Sequence, residues 1–159
     1  AAVGCAAMAF KKGDIDGSVK FFDEAINLET DNAKKADNAY KAASVLASAK
    51  KLSQARSYAQ KAISFNENFG SPYILFAQLY AGIYKWNDEP ALNKCTFFAA
   101  IDKLQRAKAV DPSVAEEANK LISSYSAYTP EAKDLFMLGY KAGDRITIGG
   151  WIGETTTIR

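Results

Sequence analysis

Two pairs of neighbouring carboxylates, Asp14 with Asp16 and Glu116 with Glu117, are where general acid–base chemistry would have to be sought in this chain. The sequence has no histidine, so the commonest general base is missing. Asp14 and Asp16 fall where a turn gives way to an apolar run, a setting in which Asp favours turns and helix starts. Glu116 and Glu117 fall in the first turn of a helix that begins after Pro112, where anions offset the positive helix end. Both pairs therefore read as local structure. The two cysteines, Cys5 and Cys95, are too few for a disulfide framework and have no zinc-ligand spacing. They read as small hydrophobes on inner helix faces. No glycine-rich loop joins a strand to a helix, which leaves no phosphate cradle. The expectation is a non-enzymatic chain with no cofactor and no metal.

Composition places the chain among ordinary globular domains, with 48% hydrophobic and 24% charged residues over 159 positions. No apolar run is long enough to span a membrane. Net charge is +2, but between Ala33 and Ala62 seven cations (Lys34, Lys35, Lys41, Lys50, Lys51, Arg56 and Lys61) face one acid, Asp37. Such a segment attracts acidic partners or nucleic acid, or else is a solvated face. Tyr40 and Tyr58 are its only aromatics besides that charge, too few to stack bases, so the solvated face is preferred and nucleic acid is not expected as a partner.

The elements that would position a site show in a column of small residues returning three times. Ser18, Phe22 and Ala25 are matched by Ala55, Ala59 and Ala62, then by Ala100, Leu104 and Ala107. Steps of four and three put each trio on one helical face. Side chains this small let a neighbouring helix come close, as stacked helical hairpins require. A preceding helix carries Cys5-Ala6, Ala42-Ala43 or Phe76-Ala77 on its inner face. The trio helices end on Leu28, Phe65 and Val110, the last followed by Asp111-Pro112.

On these residues, residues 1 to about 112 resemble the tetratricopeptide repeat family, whose repeat of about 34 residues pairs an A helix with a B helix. The turns fall at Gly13-Asp14-Ile15 and Lys50-Lys51-Leu52. The steps are long: 37 residues from Ala25 to Ala62 and 45 from Ala62 to Ala107. The first excess lies in the polar link Glu29-Thr30-Asp31-Asn32. The second lies in 84–90, where Tyr84 and Trp86 either pack onto the next helix, the preferred reading, or face a partner. The resemblance implies an all-α superhelix of helical hairpins whose A helices line a groove for a partner peptide or helix. Its groove positions are Val3, Ala7 and Phe10, then Tyr40, Ser44 and Ala47, then Ile74, Gln78 and Ala81. Val3 and Ala7 stand where the family's carboxylate clamp needs basic and amide groups, so an acidic chaperone C-terminus is not the expected ligand.

Val114, Ala118, Leu121, Ile122 and Tyr125 form the stripe of a helix that caps the stack. Thr129-Pro130-Glu131 starts a short helix with Pro130 in first position, stopping at Gly139 or Gly143. From Arg145 the period becomes alternating, and two short strands, 145–148 and 155–159, flank a glycine-rich turn with Trp151 and Ile152 as anchors. The division expected is 1–128 for the repeats and cap, and 129–159 for the short helix and β-hairpin. The tail resembles the ending of uncharacterised Bacteroidetes repeat proteins, which implies a bacterial, exported parent of the periplasm or cell envelope, with the cytoplasm as alternative. The opening Ala1-Ala2-Val3 lies in mid-helix and suggests a processed, trimmed or incompletely ordered N-terminus, and a signal is expected in the parent protein. Three alternatives stay open: the tail fills the groove, the hairpin pairs with a partner's sheet in an envelope assembly, or the chain is an enzyme of unrecognised type, which would show as a deep pocket with converging carboxylates. The sequence leaves the partner's identity and the oligomeric state open.

Overall fold

The computed structural model describes residues 1–83 and 85–159; the expectation for Tyr84 lies outside the described residues. The chain is all-α with a small antiparallel hairpin at its end. Its helices are α1 (Ala2–Lys11), α2 (Ile15–Leu28), α3 (Asn32–Ser48), α4 (Leu52–Phe65), α5 (Ser71–Ala81), α6 (Pro90–Asn93), α7 (Thr96–Val110), α8 (Ala115–Ser126) and α9 (Ala132–Met137). A 3-10 turn, Pro112–Val114, precedes α8, and the strands are β1 (Arg145–Thr147) and β2 (Thr155–Thr157). Two compact units divide the chain, Ala1–Leu75 and Phe76–Arg159, with the boundary inside α5.

In the first unit the local chemistry fixes two successive helical hairpins. Gly13 turns the chain at φ 79°, and Asp14 then caps α2 by accepting from the Gly17 N–H at 2.9 Å. Asp31 caps α3 through the Ala33 and Lys34 amides. Lys50, at φ 61°, makes the turn into α4 that Gly13 makes into α2. Ala6, Phe22, Ala42 and Val45 form one core cluster, and Ile26, Ala39 and Ala62 form the next. Ala39 and Ala62 are fully buried, so α2, α3 and α4 meet through methyl groups. Ser18 lies between α1 and α2, where its hydroxyl donates to the Ala6 carbonyl at 2.8 Å, which satisfies a polar group otherwise buried at a cost.

The second unit carries the third trio, with Ala100, Leu104 and Ala107 all fully buried on α7. The helix α8 packs along α7, with Ala118 buried on the contact face. In the hairpin, Ile146 lies opposite Thr156, and both are buried. Its core is shared with the helices: Leu92, Cys95, Phe98, Leu135, Ile146 and Ile158 cluster together, with Trp86 against them. Trp86 is thus packed, as expected of the long loop. Trp151 meets the Tyr80 ring at 5.8 Å, and Ile152 is buried.

Three expectations need correction. Cys5 is exposed, because the inner face of α1 runs through Ala6 and Ala9, and a residue one step before Ala6 is rotated by about 100°. Pro130 precedes the helix rather than opening it; α9 begins at Ala132 with Glu131 at the N-cap. The excess in the third copy is not all loop, since α6 forms within it with Pro90 in the first turn.

Candidate functional site

The nine positions expected to line a groove fall on α1, α3 and α5, and the structure gives them different surroundings. On α1, Ala7 and Phe10 are exposed, while Val3 leans on the cluster of Ala6, Phe22, Ala42 and Val45. On α3, Tyr40, Ser44 and Ala47 are half-buried. The Ser44 hydroxyl donates to the Tyr40 carbonyl at 3.0 Å, which uses its proton within the helix. The Tyr40 ring meets Phe69 edge-on at 5.4 Å and packs on the cluster of Ile26, Ala39 and Ala62. On α5, Ile74 of the first unit is buried; in the second unit, Gln78 is exposed and Ala81 half-buried. The open set is therefore Ala7, Phe10 and Gln78, with Tyr40, Ser44 and Ala47 offering part of their surface.

A second feature of the first unit escaped the sequence reading. Between α2 and α4 a cavity of about 290 Å³ is floored by Leu46 and lined by Asp16, Val19, Lys20, Asp23, Ser57 and Tyr58. The Tyr58 hydroxyl reaches both Asp23 carboxylate oxygens, at 2.8 and 2.7 Å. Burial, and then the hydrogen bond to Asp23 and its charge, push the Tyr58 phenol well above its ordinary range. It stays protonated at neutral pH, so the pair works as a clamp between consecutive B helices and not as an acid–base couple. The signal lay in the repeat register. Phe22 and Ala59 are equivalent positions, and Asp23 and Tyr58 flank them on opposite sides.

The basic segment is distributed over partners. Lys41 pairs with Asp37 at 2.8 Å, and Lys51 pairs with Asp16 at 2.7 Å. The Lys35 and Lys61 ammonium groups sit over the Phe65 and Tyr58 rings. In the second unit the buried Cys95 thiol is pushed up to about 11 by desolvation, which keeps it an unreactive thiol. Among the described residues no group of three or more Cys, Asp or Glu side chains is placed to hold a metal ion. No described helix is long and apolar enough to cross a membrane.

These stacked pairs of antiparallel helices, meeting through alanines, have the tetratricopeptide-like fold. A solved structure described as the TPR2B-domain:pHsp70 complex of yeast Sti1 superposes with a TM-score of 0.60 at 24% identity, over 79% of this chain and 94% of that one. No family model matches the sequence, and no curated protein matches it.

Proposed function

We propose that the chain is a non-enzymatic protein-interaction scaffold that holds a partner's peptide or helix against its A helices. The observation that carries this reading is the apolar, small-residue face left open on α1 and α3, with Ala7 and Phe10 exposed and Tyr40 and Ala47 half-open. The yeast Sti1 domain with the same fold is described in complex with pHsp70, which supports a protein ligand for such a face. The ligand here differs in chemistry. Val3 and Ala7 offer no cation to a terminal carboxylate, so apolar side chains of the partner supply the contact. The hairpin reading is less favoured, because Ile146, Thr156 and Ile158 are already buried on helices of their own unit.

The test is affinity capture from the source cell with the wild-type chain and with Ala7→Arg and Phe10→Asp, both at exposed positions. Loss of the same captured proteins by both variants, with circular dichroism unchanged, is the expected result. Full recovery of those proteins by both variants would remove the A-helix face as the binding surface.

A further inference from the structure

The first helices of the two hairpins in the first unit, α1 and α3, are covered differently at the same register. The step between copies is 37 residues, so Ala1, Cys5 and Met8 of the first stand where Asn38, Ala42 and Val45 stand in the second. Spacings of four and three put each set on one side of its helix. On α3 that side is closed, with Asn38, Ala42 and Val45 only 8%, 0% and 8% exposed. On α1 it is open: Ala1 and Cys5 are exposed, and Met8 is 60% exposed. The helix beneath is not fraying. The Cys5 N–H donates to the Ala1 carbonyl at 3.1 Å and the Lys12 N–H to the Met8 carbonyl at 3.2 Å, while Ala6 and Ala9 on the opposite side are buried.

The cover on α3 is α2. Phe22 clusters with Ala42 and Val45, Val19 packs against them, and Ile26 clusters with Ala39. Val19, Phe22 and Ile26 are spaced by three and four, so one apolar stripe on the second helix of a hairpin closes the side of the next hairpin's first helix. The open side of α1 has the make-up of the closed side of α3. Small residues flank one larger apolar side chain, Met8 in place of Val45, and no Asp, Glu, Lys or Arg occurs before Lys11 at the far end of the helix. Ala7 and Phe10 are not part of it. Each lies two residues past Cys5 or Met8 and is turned by about 200°, so this surface is separate from the proposed groove and does not rest on it.

We infer that the side of α1 formed by Ala1, Cys5 and Met8 docks a partner's helical hairpin that presents apolar side chains in the spacing of Val19, Phe22 and Ile26. Continuity with the contact between α2 and α3 selects this occupant, because each stacked hairpin closes the exposed side of its neighbour. A second copy of the chain has no such stripe to give. Phe22 and Ile26 of α2, Ala59 and Ile63 of α4, and Ile101 and Leu104 of α7 are all buried within their own chain.

The experiment supplies the hairpin in tandem. Residues 1–37, carrying Cys5→Ser, are joined ahead of the full chain, which keeps the 37-residue register and brings the added copy of α2 to α1 as α2 meets α3. Alkylation of Cys5 in the full chain is followed by mass mapping. It should slow about tenfold or more relative to the unjoined chain, with added helical circular dichroism, because the thiol is then reached only through local opening. Met8→Asp in the full chain should restore rapid labelling, and in the unjoined chain it should leave circular dichroism unaltered because Met8 is exposed. The inference is overturned if the added segment stays non-helical, if Cys5 is alkylated at an unchanged rate, or if its protection survives Met8→Asp. Sedimentation of the unjoined chain as a dimer that Met8→Asp dissociates would overturn it in favour of a second copy on this side of α1.

Discussion

Replacing Ala62 by Leu puts the central packing argument at risk, because the sign of the effect depends on whether α4 meets its neighbours as closely as the structure shows. Ala62 is fully buried in a cluster with Ile26 of α2 and Ala39 of α3. Leucine adds three carbons at that point. Were there slack in the seam, their burial would stabilise the fold by about 0.8 kcal/mol each, roughly 2 kcal/mol in all. In a closed seam they force off-rotamer side chains or a helix shift, costing about 1–3 kcal/mol. The structure requires the second outcome. With a urea m-value of about 2 kcal/mol/M, the midpoint followed by far-UV circular dichroism should fall by roughly 0.5–1.5 M. Ser64→Leu, on the exposed side of the same helix, is the control and should stay within about 0.5 kcal/mol of wild type. An unchanged or higher midpoint for Ala62→Leu would refute the claim that methyl-sized contacts set the helix spacing.

Lys50 holds a left-handed backbone at φ 61°, where Gly13 stands in the preceding copy. Lys50→Gly relieves a strain of about 1–2 kcal/mol against a glycine entropy cost of about 0.5–1 kcal/mol, so a higher urea midpoint is expected, and a lower one counts against the assigned turn. A thiol reagent at neutral pH should label Cys5 in the native chain and reach Cys95 only on unfolding, as peptide mass mapping will show; rapid native labelling of Cys95 would contradict its burial. The Tyr58 phenol has a folded pKa above its unfolded value of 10.0, so its contribution is complete below pH 10 and is lost as pH rises beyond it. Tyr58→Phe should therefore lower stability at neutral pH and flatten its alkaline decline, and equal slopes for the two proteins above pH 10 would remove the Asp23 clamp as the cause.

Much of the fold was legible because the repeat signal depends on steric size, which a sequence states directly. An alanine at Ala55, Ala59 and Ala62 says that something lies close, and the recurrence at one register says that it is another helix. The ends of α2, α4 and α7 at Leu28, Phe65 and Val110 followed from the same register. Cys5 was misread because a pair of small neighbours, Cys5 and Ala6, cannot show which of the two faces inward when only one turn of helix precedes them. The open face of α1 and α3 was legible as positions but not as surface. Whether Val3 or Ile74 is covered depends on neighbours that the spacing within one helix does not describe. The Tyr58–Asp23 clamp joins equivalent helices of successive copies, which the register gives only in outline, and the exposure of Phe136 and Met137 is a lack of contacts that no periodicity states.

The two oddities of the sequence, the long third step and the non-repeating tail, turn out to be halves of one structure. A two-stranded hairpin is marginal in water unless something covers its apolar face. Here part of the cover is supplied by the residues that lengthen the third copy. Leu92 of α6 and the packed Trp86 join Cys95 and Phe98 in the cluster that receives Ile146 and Ile158. Gly149 completes the fit, since a Cβ there would stand 3.2 Å from the Trp86 ring. Polar contacts then fix the hairpin on α7: the Thr156 hydroxyl donates to Asp102 at 2.6 Å, Arg159 pairs with the same carboxylate, and Lys103 pairs with Glu154. A repeat of ordinary length has no residues to spare for α6 or Trp86, and without them the hairpin keeps only Cys95, Phe98 and Leu135 beneath Ile146 and Ile158. The 45-residue step therefore enlarges the apolar floor of the tail, and the irregular spacing that weakens the repeat signal is the physical trace of a second core.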